Sequence, residues 1–94
     1  MGLTSNPNAE QIVKQIMESE ALLKSTQAAM KEPKRYIDLT CKMMLRDDCI
    51  ALKHRLKKLR PEKMTAAELE DLRLATERLK TTSENILSHY PVEL

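Results

Sequence analysis

The stretch YIDLTCKMMLRDDCIALKHRLKKL, residues 36–59, decides the fold. It contains neither glycine nor proline and reads as one long helix. At helical spacing its apolar residues separate into two groups. Ile37, Cys41, Met44, Leu45, Leu52, Leu56 and Leu59 project to one side, while Tyr36, Leu39, Met43 and Ile50 project to about the opposite side. A helix with two apolar sides is built to have two neighbours.

Prolines punctuate the chain around it. Arg60-Pro61 stops this helix, and Pro33 disfavours helix at Glu32, so the second helix spans about 34–59 and a first helix lies before it. That first helix covers about 8–31, starting from Asn6-Pro7 or Asn8 as a cap, with residues 1–7 as a disordered lead. Its stripe is Ala9, Ile12, Ile16, Ser19, Leu23, Thr26 and Met30, widened by Val13; Ser19 and Thr26 make it a weak seam. Pro33 is compatible with either a reversal or a kink.

The second junction is sharper. Thr65 followed by Glu68 is a capping box, and Met64 and Leu69 stand where a hydrophobic staple belongs. A third helix therefore spans about 66–89, ended by Pro91, with the stripe Leu69, Leu72, Thr76, Leu79, Ser83, Ile86 and Tyr90. The expectation is a single all-α domain: an antiparallel hairpin of the second and third helices plus the N-terminal helix, as a three-helix bundle or an extended, coiled-coil-like layer. Residues 91–94 read as a frayed tail; Pro91-Val92-Glu93-Leu94 matches only in outline an ending that adds as a strand to a peptide groove.

Composition agrees. The 94 residues include one glycine, at position 2, and no Phe or Trp, which argues against β-hairpins and glycine-rich phosphate loops. The aliphatic stripes are thin for the chain they must order, which favours association with a second copy or another protein. Cys41 and Cys49 stand about 12 Å apart along one helix, too far to bond, and point to a reducing, intracellular compartment, cytoplasmic or nuclear. No signal-peptide pattern or membrane-spanning apolar run is present, and the position-6 Ser or Thr of a myristoylation motif is Asn6 here.

Charge divides by segment. Lys and Arg against Asp and Glu number 3 to 4 in residues 1–32, 10 to 4 in 33–63 and 3 to 6 in 64–94. The basic end of the second helix should lie beside Glu68, Glu70 and Asp71 at the start of the third, and each end suits its helix dipole.

Chemistry is harder to find. Asp47, Asp48, Cys49 and His54 share one helix, but adjacent carboxylates diverge by about 100° and neither cysteine is a helical neighbour of His54, so no enzyme is expected. His89 stands alone. Cys41, Met43, Met44 and Cys49 are spread around the helix as core fillers, so no metal or other cofactor and no small-molecule substrate is expected. Asp48, on the apolar side, needs a cationic partner. Two surfaces remain. Tyr36, Leu39, Met43 and Ile50 form the expected partner interface of a small adaptor-like subunit, unless the first helix folds over them. Lys53, Arg55, Lys57, Lys58 and Arg60 form a possible anion-binding run for nucleic acid or an acidic membrane face, less favoured because no aromatic stacking residues accompany it.

Overall fold

The computed structural model describes residues 8–94, so the lead assigned to residues 1–7 lies outside the described residues. Three helices follow in order: α1 (Ala9–Met30), α2 (Leu39–Lys58) and α3 (Ala66–His89), with a single 3-10 turn at Pro61–Lys63; the described residues contain no strand.

Each start is fixed locally. At α1 the Asn8 side chain accepts from the Gln11 amide at 2.8 Å, and the Gln11 side chain accepts from the Asn8 amide at 3.2 Å. At α3 Thr65 and Glu68 form the corresponding box at 3.1 and 3.0 Å, and Met64, the residue before it, is buried at 4% exposed. Such a cap is worth about 1 kcal/mol.

The second helix starts later than periodicity suggests. Tyr36 and Ile37 lie in the connector, and Asp38 caps α2 by accepting from the Thr40 amide at 3.1 Å. The chain needs these residues to turn around. Pro33 sits inside a turn closed by the Arg35 amide on the Glu32 carbonyl at 3.1 Å, and the backbone then runs without regular structure to Asp38, so Pro33 marks a reversal rather than a kink.

Side-chain pairs give the register. From Arg55 back to Asp48 on α2, the ion-pair partner moves forward from Asp71 to Arg78 on α3, so these two helices run antiparallel with matched heptads. From Ser19 on to Thr26 on α1, the hydroxyl partner moves forward from Thr76 to Ser83, so α1 and α3 run parallel. The architecture is an up-down-up three-helix bundle.

Its core is a column of leucines. Leu45, Leu52, Leu72 and Leu79 are at most 1% exposed, with Cys49 and Ile86 completing the column. Each such leucine contributes about 2 kcal/mol or more by leaving water. The polar positions of the α1 stripe are buried as well: Ser19 and Thr26 face Thr76 at 2.7 Å and Ser83 at 3.4 Å. Ser19 and Thr76 also approach their own i−4 carbonyls at 2.8 Å. Two hydroxyls own two protons, so one closes onto its carbonyl while the other donates across the seam.

The carboxyl-terminal residues are tied down rather than frayed. Glu93 donates its amide to the Lys34 carbonyl at 2.8 Å, and Arg35 Nη1 donates to the Leu87 and Tyr90 carbonyls at 3.2 and 2.8 Å, capping α3 from the connector. The tail thus lies along the connector and is not held out as a free strand.

Candidate docking face on the second helix

Helix α1 does not cover the second apolar side of α2. It packs on the same side as α3, against the sector that carries Leu45, Cys49 and Leu52, and leaves the other sector open. Tyr36, Leu39, Met43 and Ile50 are 65%, 70%, 55% and 54% exposed. Leu39, Met43 and Ile50 form a ridge along α2, and Tyr36 stands before its first turn. Met44, assigned to the core side by spacing, is also exposed. One turn further on, Asp48 meets Arg78 of α3 at 3.8 Å, so the α3 contact on that edge is ionic and ends the apolar sector before Met44. That pair supplies the cation that Asp48 needed.

Ile50 lines a cleft on each side of the ridge, and the two clefts differ in charge. One, of about 820 Å³, lies between the end of α1, the connector and α2; it carries Lys31, Arg35, Lys42, Arg46 and Lys53 against a single carboxylate, Glu32. None of these five cations is in an ion pair among the described residues. Arg35 also keeps its Nε buried without a hydrogen-bond partner among the described residues. The other cleft, of about 720 Å³, mixes Asp47, Glu68 and Asp71 with His54, Arg55 and Lys58.

The basic run at the end of α2 does not form one surface. Arg55 pairs with Asp71, as the charge pattern of the hairpin suggested. Lys53 lines the basic cleft and also, with Lys57, a third cleft beside Glu20 and Lys24 of α1; Lys58 enters the mixed cleft with Arg55, and Arg60 lies beyond the helix. The cations that do gather come from three segments. Lys42, Arg46 and Lys53 were legible on α2 by their spacings of four and seven, but Lys31 and Arg35 join them only through the reversal at Pro33.

The remaining chemistry-bearing residues do not converge. Cys49 is in the core whereas Asp47 and His54 face the outer cleft, and among the described residues no three His, Cys, Asp or Glu side chains gather as a metal site would need. Cys41 Sγ lies 4.0 Å from the Tyr90 hydroxyl, a contact that raises the Tyr90 pKa, and His89 Nδ1 lies 2.8 Å from the Asn85 carbonyl. Burial, with the Asp48 carboxylate beside it, pushes the Cys49 thiol above its ordinary pKa. The unfolded thiol ionises near pH 8.5 while the folded one stays neutral to higher pH, so its contribution to stability is complete below about pH 8.5 and is lost above it. Urea unfolding at about pH 7 and about pH 9.5 should therefore show a larger loss for the wild type than for Cys49→Ala. Equal losses would show that the thiol is not shielded.

No family model, curated protein or solved structure matches this chain. No described helix is long and apolar enough to cross a membrane.

Proposed function

We propose that the chain is a small non-enzymatic interaction subunit that docks a partner helix or a second copy on the outer face of α2. One observation carries this reading: Leu39, Met43 and Ile50, with Tyr36 beside them, stay exposed while both other helices pack on the far side. A row of aliphatic side chains in water gains free energy when covered, at about 25 cal/mol per Å². A reducing, intracellular setting belongs to the reading, supported by two free cysteines that share α2. Binding of nucleic acid or an acidic membrane through Lys53, Arg55, Lys57, Lys58 and Arg60 is the weaker reading, because those residues are divided among different neighbours.

A photo-crosslinking residue at position 43, compared with one at the exposed position 77 of α3, tests the proposal in cells. The expected result is an adduct of discrete mass from position 43, absent from 77, and lost when Leu39→Glu is added without change in thermal melting. The same adducts from both positions would sink it.

A further inference from the structure

We propose that the face takes an amphipathic helix of a partner protein with one acidic flank. Its apolar stripe lies on Leu39, Met43 and Ile50, and its carboxylates lie along Lys31, Lys42, Arg46 and Lys53. The inference rests on the docking reading and adds the chemistry of what docks.

The charge around the ridge is one-sided. On the flank toward α1, five cations share a cleft with one carboxylate and make no ion pair among the described residues; Arg35 is turned to the Leu87 and Tyr90 carbonyls, and the other four are exposed to a partner's carboxylates. On the other flank the charges are mixed, with three carboxylates, Asp47, Glu68 and Asp71, against Arg55 and Lys58 and with His54 beside them. The ridge from Leu39 to Ile50 is about 17 Å long, three helical turns, which matches a short helix read at a spacing of three and four. A row of Glu or Asp on one side of such a helix meets the basic cleft, and its uncharged side meets the mixed one.

Other occupants fit less well. A second copy would bring a segment of ten cations and four carboxylates against its own kind. A membrane would present anionic charge to both flanks, including the carboxylates Asp47, Glu68 and Asp71 of the mixed cleft, and the chain offers no Phe or Trp to enter it. Nucleic acid would find one aromatic ring, Tyr36, beside the ridge.

The test is selection from a displayed library of helical peptides with a fixed leucine stripe and Glu, Gln or Lys at random on both flanks, using the full chain as target. The expected result is enrichment of Glu over Lys on one flank by about tenfold, the ratio given by about 1.4 kcal/mol of charge contact. That enrichment should vanish with the Lys42→Glu, Arg46→Glu double variant, and all binding should vanish with Met43→Glu. All three residues are exposed, and circular dichroism checks that each variant remains helical. Binding that needs Met43 but shows no preference for Glu overturns the acidic flank and leaves the docking reading standing. Binding indifferent to Met43→Glu overturns the docking reading itself. Self-association that excludes every peptide until Met43→Glu is made, or tighter retention on phosphatidylserine vesicles or RNA than on any selected peptide, overturns the proposal in favour of those occupants.

Discussion

Leu52→Ala will lower the free energy of unfolding by about 3 kcal/mol, whereas Leu39→Ala, on the same helix, will change it by no more than about 0.5 kcal/mol. Leu52 is 0% exposed in the central column, and its removal leaves a cavity that rigid helices cannot fill; Leu39 is 70% exposed at the first position of α2. Urea unfolding followed by far-ultraviolet circular dichroism measures both. Because a domain of this size holds only a modest margin of stability, the first variant should be largely unfolded at 37 °C. Equal losses from the two substitutions would mean that α2 is covered on both sides within one chain.

The second large effect concerns the seam between α1 and α3. By pattern alone, Ser19→Leu should strengthen it, since leucine is what a heptad position ordinarily prefers. The structure predicts the opposite, a loss of about 1–3 kcal/mol. Ser19 is fully buried with its Oγ 2.7 Å from that of Thr76, and seven residues on Thr26 meets Ser83, so small hydroxyl side chains let the parallel helices approach closely. A leucine there forces them apart and unpacks both layers. Ser19→Ala is the control and should lose no more than about 1 kcal/mol, because Thr76 still donates to the Leu72 carbonyl. Stabilisation by Ser19→Leu would show that the seam is not held at hydroxyl distance.

These hydroxyl pairs show where reading from sequence stopped. Ser19 and Thr26 look like defects in one stripe and Thr76 and Ser83 like defects in another; they become two matched layers only once the helices are known to run parallel. The hairpin was legible because its signals are local: Thr65 and Glu68 cap α3 within one turn, Pro91 follows its end, and the opposed charges of α2 and α3 foretold Arg55 with Asp71. The start of α2 was misplaced because Tyr36 and Ile37 continue its apolar period, while Asp38 was the competing signal for a cap. Capping and the reversal at Pro33 overrode periodicity there. At the candidate face, Tyr36, Leu39, Met43 and Ile50 were legible as a group because a single element carries them almost entirely. Whether α1 would cover them depended on the reversal, and so did the arrival of Lys31 and Arg35 beside Lys42 and Arg46.

The central claim, that the outer face of α2 is open in the folded chain, is tested most directly by methionine oxidation. Met17, Met43 and Met44 are 63%, 55% and 53% exposed, whereas Met64 is 4% exposed, so the chain carries its own calibrated probes. Dilute peroxide should oxidise Met43 and Met44 at rates close to that of Met17 and leave Met64 at least about tenfold slower, read residue by residue by mass spectrometry under folded, monomeric conditions confirmed by light scattering. A Met43 protected as strongly as Met64 in a monomer would contradict the account, because the chain would then be covering its own docking face.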